Sequence, residues 1–377
     1  MLGLYIHIPF CESKCFYCDF NSYKMKSENE KKIYIDNLIK EMDFYKEEFN
    51  KKEFTSIFLG GGTPSILDKE EIKIIFDEIY KRFKIKGNAE ITIECNPETL
   101  NKEKLILFKE CGVNRLSIGL QSTQNKNLEY IGRVHTYETF EEHYFEAREV
   151  GFENINIDLM YSLPNQTFEE FKESLEKIIS LNPSHISAYS LILEENTRMF
   201  KMYENEEFEL NEDELDIKIY NHTIKTLSEN GYNHYEISNY AKEGYECMHN
   251  INYWKCDNYL GLGAGASGYI GNLRYKNIEK INDYNKLIES LEKPILESEV
   301  LSFEDEIEEN IIMNLRMNKG INIVSFNEKF DIDFVKRYDE VLEKLKNENL
   351  IMEKNNHIFF TQKGREISNT VLLEFLK

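Results

Sequence analysis

The sequence predicts an α/β protein: an open, partial (β/α)6 barrel over residues 1–190, a mixed middle region over 191–300, and a small C-terminal winged-helix-like domain over 301–377. Three observations lead there. Strand-like and helix-like stretches alternate six times in the first 190 residues, which implies a parallel sheet with helices outside. Chemically conspicuous residues recur where those strands end, the end at which βα barrels carry their chemistry. The alternation then stops, and the last 77 residues read as helices followed by a small hairpin.

The first strand is the apolar run 4–8, broken by Pro9 and the polar Glu12-Ser13-Lys14. An amphipathic helix is expected over 28–49, with Ile33, Ile35, Leu38, Ile39, Met42 and Phe49 as its apolar stripe. Strand 55–59 ends in Gly60-Gly61-Gly62-Thr63-Pro64, and helix 68–83 follows with Asp68 as its cap. Strand 90–94 precedes the turn Asn96-Pro97 and helix 102–111. Strand 115–120 leads to two helical stretches within 125–150. Strand 154–160, helix 167–181 and strand 185–190 complete six units, which suit an open barrel better than a closed eightfold one. Beyond them, helix 211–230 and a strand over 234–240 are expected, then a Gly- and aromatic-rich region to Gly271. The last part reads as helices 304–317 and 333–347, strands 350–353 and 357–360, and a helix from Lys363.

At 377 residues, 41% hydrophobic and 13% aromatic, the chain can bury a sizeable core. Its net charge of −22 disfavours nucleic acid and anionic membranes as partners. The winged-helix-like segment carries 11 basic and 15 acidic residues, so it is expected to pack or meet a partner protein rather than DNA. No apolar run approaches ~18 residues, and the cysteine loop follows too closely on the start for a cleaved leader. Seven cysteines, an odd number, suggest a reducing cytoplasm. Cys95 and Cys111 read as small buried hydrophobes, and Cys247 and Cys256 as unpaired structural thiols.

Cys11, Cys15 and Cys18 stand at C-x3-C-x2-C directly after the first strand. A zinc site needs a fourth ligand, for which Asp19 is the only nearby candidate besides the thiols, and a disulfide leaves one thiol over. Three thiolates on a four-iron cubane leave one iron open. That iron can chelate the amino and carboxylate groups of S-adenosylmethionine and pass an electron to its sulfonium, giving a 5'-deoxyadenosyl radical. Phe16 and Tyr17 would shield the cluster. This spacing resembles the signature of the radical S-adenosylmethionine superfamily.

The other strand ends fit that ligand. Gly61, Gly62 and Thr63 would hold its amino-acid end, glycine letting the backbone approach and present free N–H groups. Glu94 and Asp158 offer acceptors for ribose hydroxyls or the ammonium, and Gln121 and Arg133 can reach ribose and carboxylate. With Tyr5 these residues are expected to line one cavity beside the cluster.

Tyr5-Ile6-His7-Ile8-Pro9-Phe10-Cys11, Gly60-Gly61-Gly62-Thr63-Pro64, Arg115-Leu116-Ser117-Ile118-Gly119-Leu120-Gln121-Ser122, Gly132-Arg133-Val134-His135 and the stretch Asp158-Leu159-Met160-Tyr161-Ser162-Leu163-Pro164 together resemble the coproporphyrinogen dehydrogenase group within that superfamily. The group holds an oxygen-independent coproporphyrinogen III dehydrogenase and related heme chaperones. The dehydrogenase has a fourth cysteine where this chain has Phe20, and an N-terminal extension where this chain begins at the strand. Both differences favour the heme-chaperone branch. So does His249-Asn250-Ile251-Asn252-Tyr253-Trp254, which matches that branch's H-N-x-x-Y-W heme motif. The resemblance implies a [4Fe–4S] cluster, S-adenosylmethionine and heme as cofactors, with His249, Tyr253 and Trp254 at the heme and His249 a candidate axial ligand. It implies heme-accepting proteins and an electron donor as partners, with transient contact with membrane proteins. The alternative is radical decarboxylation of two propionates of coproporphyrinogen III. A third reading is a radical enzyme on another substrate, the heme motif being only structural. Ser162 stands where the family has glycine, which puts that turn's geometry in question.

Overall fold

The computed structural model describes residues 1–376. Six parallel strands neighbour one another in chain order: β1 (Leu2–Ile8), β2 (Glu53–Gly61), β3 (Lys84–Cys95), β4 (Arg115–Gln121), β5 (Asn154–Tyr161) and β6 (His185–Ser190). Leu4, Ile6 and Ile8 on one face of β1 are wholly buried and Gly3 and His7 on the other are buried too, as a strand covered on both faces requires. Helices α1 (Glu28–Asp43), α2 (Lys69–Arg82), α3 (Lys102–Glu110), α4 (Asn125–Tyr130), α5 (Tyr137–Glu149) and α6 (Phe168–Leu181) lie in the connections. Asp68 and Thr167 start α2 and α6 through reciprocal capping boxes with Glu71 and Glu170. This is the expected partial barrel.

The helix expected over 28–49 stops at Asp43. The N–H of Phe44 bonds back to Glu41 and Met42, and the chain finishes in turns that still bury Tyr45 and Phe49. Apolar spacing reports burial, which a turn satisfies as well as a helix.

The strands of residues 191–300 join both edges of the barrel sheet. β7 (Asn233–Glu236) and β8 (Asn239–Ala241) add antiparallel beside β6, where one strand over 234–240 is expected. A turn at Ile237–Ser238 folds that stretch into a hairpin. At the other edge β9 (Asn258–Leu262) pairs parallel with β1, in register Leu4↔Leu260, followed by β10 (Ser267–Ile270), β11 (Leu273–Asn277) and β12 (Ile295–Val300). The result is one 12-stranded sheet. Helices α7 (Arg198–Glu204), α8 (Asp213–Glu229), α9 (Met248–Trp254) and α10 (Ile281–Glu289) fill the connections. One core runs from Leu2 to Ile288.

A second core, including Ile311, Phe326, Phe334 and Ile358, holds the C-terminal residues. Here α11 (Phe303–Leu315) leads through β13 (Ile321–Asn322) into α12 (Ile323–Phe330), a helix of eight residues that the sequence reading missed. The helix expected over 333–347 is broken at Tyr338 into α13 (Phe334–Arg337) and α14 (Asp339–Asn347). Strands β14 (Ile351–Lys354) and β15 (His357–Phe360) form the hairpin, and β13 pairs with β15. The final helix is broken at Ile367 into α15 (Gln362–Glu366) and α16 (Ser368–Leu373). Among the described residues no helix is long and apolar enough to cross a membrane.

Candidate functional site: two adjoining cavities at the barrel mouth

The cysteine loop follows β1 and is held by the glycine turn after β2. The N–H of Gly62 donates to the carbonyl of Ile8 at 2.8 Å, and that of Thr63 to the carbonyl of Phe10 at 2.8 Å. The N–H of Gly61 donates to Glu94 Oε2 at 3.1 Å. These three N–H groups are therefore not free for a ligand, contrary to expectation: those of Gly62 and Thr63 fasten the loop and that of Gly61 holds Glu94. Gly61 has φ 111°, and a Cβ there would lie 2.5 Å from the His7 ring, so only glycine fits this close approach.

Cys11 is buried, Cys15 and Cys18 are half-buried, and all three are free thiols. Thr63 Oγ1 donates to Cys11 Sγ at 3.5 Å, and Arg133 Nη1 to Cys15 Sγ at 3.3 Å. The Phe16 ring lies against Gly132, where φ is 79° and a Cβ would come within 2.6 Å of it, and the Arg198 guanidinium stands over the ring, 3.7 Å from its centroid. Tyr17 lines the cavity formed by the loop. Burial pushes the Cys18 thiol up to about 11 and raises Cys11 as well. A bound metal cation is what would turn such thiols into thiolates.

A cavity of about 110 Å³ opens on these thiols. Gly61, Gly62, Thr63, Glu94, Gln121, Arg133 and Asp158 line it, brought together from the strand ends and the connection after β4. Tyr5 does not: it faces the second, larger cavity, its hydroxyl 3.0 Å from His7 Nδ1. Gln121 sits at a register shift between β4 and β5 with φ 75°, a conformation rare outside glycine, and Tyr189 donates to its Oε1 at 2.8 Å. Burial, reinforced by the Asp158 charge, pushes Glu94 up to about 7. Burial raises Asp158 too, against hydrogen bonds from Ser187 and Asn156. Arg133 also donates to Asn96 Oδ1 at 2.9 Å and to the Gly119 carbonyl. Ser117, Gly119 and Tyr189 also line it and were missed. Alternation along β4 puts residues 117, 119 and 121 on one face, a signal that would have found the first two.

The second cavity, about 1170 Å³, shares Phe20, Gly61 and Glu94 with the first. Tyr253, Trp254, Tyr259, Tyr269 and, from the C-terminal part, Ile312 and Met313 give it flat aromatic and apolar walls. Trp254 Nε1 is buried without a hydrogen-bond partner, and the Arg316 guanidinium lies 5.9 Å from its ring. His249 does not reach this cavity. It is fully buried, with Nδ1 2.8 Å from Ser56 Oγ and Nε2 2.8 Å from the Tyr253 hydroxyl. Burial, with the Arg115 charge, pushes it down to about 3, so the ring is neutral. Both nitrogens are committed within the protein, so the expected axial ligand is not presented. The residues of the motif that do face the space are Asn250, Tyr253 and Trp254.

Ser162 adopts φ 61°, the conformation glycine would meet more easily. Its hydroxyl donates to the Asp216 carboxylate of α8, which also accepts from Ser190 Oγ at 3.2 Å. The turn keeps its shape because the serine's strain is offset by a charge-assisted bond.

Residues 5–178 match the radical SAM superfamily and residues 301–367 the HemN C-terminal domain. A heme chaperone HemW from Lactococcus lactis is 38% identical over 99% of this chain and 96% of its own. A heme chaperone HemW from Bacillus subtilis is 37% identical over 100% of this chain and 99% of its own. The structure of coproporphyrinogen III oxidase (HemN) from Escherichia coli, described as a radical SAM enzyme, superposes with TM-score 0.87 at 25% identity, covering 99% of this chain and 89% of that one.

Proposed function

The chain belongs to the HemW family of the radical SAM superfamily, and from that membership and the two adjoining cavities we propose that it is a heme chaperone. It holds heme in the larger cavity and carries a [4Fe–4S] cluster at the smaller one, from which S-adenosylmethionine reaches toward the larger. The observation that carries the reading is the aromatic-walled space of about 1170 Å³ that shares Phe20, Gly61 and Glu94 with the cavity of the three thiols. It is of the size of small-molecule sites, whereas the thiol cavity alone is too small for a nucleoside. S-adenosylmethionine would therefore extend past Glu94 toward Tyr5.

Cys11, Cys15 and Cys18 would hold the cluster, which with S-adenosylmethionine supplies one-electron chemistry at the sulfonium. Arg133, beside Cys15, suits the ligand's carboxylate. Glu94, Gln121 and Asp158 supply acceptors for its ammonium and ribose. Trp254 and Tyr253 offer flat faces to a porphyrin. His249 orients the Tyr253 hydroxyl, and would have to give up either Ser56 or Tyr253 to ligate iron. Partners are heme-accepting proteins, an electron donor and, transiently, membrane proteins. The reducing cytoplasm suits seven free thiols.

The second reading, coproporphyrinogen III dehydrogenation, is favoured by the fold shared with the Escherichia coli enzyme. An anaerobic comparison decides. Cluster-loaded protein should bind heme stoichiometrically, lose it on Trp254→Ala, and leave coproporphyrinogen III unconverted. Sustained turnover to protoporphyrinogen IX would replace the chaperone reading with the dehydrogenase.

A further inference from the structure

The net charge of this chain is −22, and the larger cavity is bordered by four carboxylates: Asp19, Glu94, Glu279 and Glu309. Among the described residues, only one arginine and one lysine line it, Arg274 and Lys276. They stand two apart on β11, so they share one face of the strand. Each is half-exposed and held by a carboxylate of the same cavity wall: Arg274 by Glu309, and Lys276 by Glu279 at 2.6 Å. Ion pairs this open to solvent are weak, so either base can change partners at little cost. Glu309 lies on α11 of the C-terminal part, so the Arg274 pair spans the two cores.

We propose that Arg274 and Lys276 are an acid-binding subsite that takes the two propionate carboxylates of a tetrapyrrole in this cavity, Arg274 leaving Glu309 to do so. The inference rests on the cavity being the heme site. A guanidinium offers a carboxylate two parallel N–H donors, and the lysine adds a point charge one step along the strand. The apolar macrocycle then lies toward Trp254 and Tyr253, with its acidic edge at the rim. Occupancy frees Glu309, so loading loosens the ion pair that ties α11 to the sheet.

The test compares heme with heme dimethyl ester, which lacks both carboxylates, in absorbance titrations of the full-length, cluster-loaded protein. Wild type should bind the ester about tenfold or more weakly than heme. The variant Arg274→Gln/Lys276→Gln should bind heme as weakly as the ester, with ester affinity unchanged. Glu309→Gln, which removes the competing carboxylate, should tighten heme and leave the ester unaffected. Equal affinity of wild type for heme and ester, with Trp254→Ala still abolishing both, would overturn the subsite while leaving the heme site standing. Loss of ester binding in the double variant would mean the bases act through the fold, and would also overturn it. Failure of wild type to bind either compound would overturn the heme reading and the subsite with it.

Discussion

Arg133 Nη1 lies 3.3 Å from Cys15 Sγ, across 118 residues of sequence. The contact joins the connection after β4 to the cysteine loop after β1, and puts a buried positive charge beside a thiol. Two outcomes follow. Cys15→Ser should lose most of the iron and the cluster's absorbance after anaerobic reconstitution. Arg133→Gln should keep the cluster but weaken S-adenosylmethionine about tenfold or more in equilibrium dialysis, since it removes a charge-assisted contact. A full, normal cluster in the serine variant would refute the ligand assignment.

His249 separates positioning from ligation. With both ring nitrogens engaged, His249→Ala is expected to weaken heme binding by freeing Tyr253, while the Soret maximum and spin state stay as in wild type. A shifted maximum or a changed spin state, read at equal heme occupancy, would show that the imidazole gives up one of these partners to bind iron.

Ser162 should tolerate glycine better than alanine. Ser162→Ala keeps the φ of 61° and loses the bond to Asp216, a cost of about 2 kcal/mol. Ser162→Gly loses the same bond but relaxes the backbone, and should be more stable than the alanine variant by about 1 kcal/mol. Denaturant unfolding of both measures the gap; equal stabilities would mean the turn is unstrained.

Glu41 gives the fold a pH dependence of its own. It is fully buried, accepting from Tyr284 Oη at 2.7 Å, Asn277 Nδ2 at 2.7 Å and the Gly263 N–H at 2.7 Å, and burial pushes it up to about 7. A carboxyl raised in the folded state binds its proton more tightly there than when unfolded. Its contribution is complete below about pH 4.5 and is lost as pH rises through about 7, a change of about 3 kcal/mol. Glu41→Gln should flatten that part of the stability profile, measured by urea unfolding from pH 5 to 8. An unchanged slope would assign it to Glu94 and Glu236, which burial pushes up to the same value.

Local pattern made the six barrel strands and their helices legible, because each strand is an apolar run ended by a turn signal and α2 and α6 carry their capping boxes. The cysteine loop was legible for the same reason: its three thiols are neighbours in sequence. Short elements were not. The turn inside 234–240 and the break at Tyr338 each depend on one or two residues, and α12 spans only eight, too few to set or shift a periodic pattern.

The sequence by itself determined the alternating architecture, the three-thiol loop and the identity of the polar residues at the strand ends, since period and spacing are properties of the chain. Only the tertiary structure decided what those residues face. It turned the N–H groups of Gly61, Gly62 and Thr63 inward to bind Glu94 and the cysteine loop, sent Tyr5 to the larger cavity, and buried His249 against Ser56. It also placed Arg274 beside Glu309, and Ile312 and Met313 of α11 in the cavity that Trp254 lines. Each of these is a contact between segments tens to hundreds of residues apart. Such contacts are set by how the sheet closes and which polar groups must be satisfied once buried, and neither is written in local order.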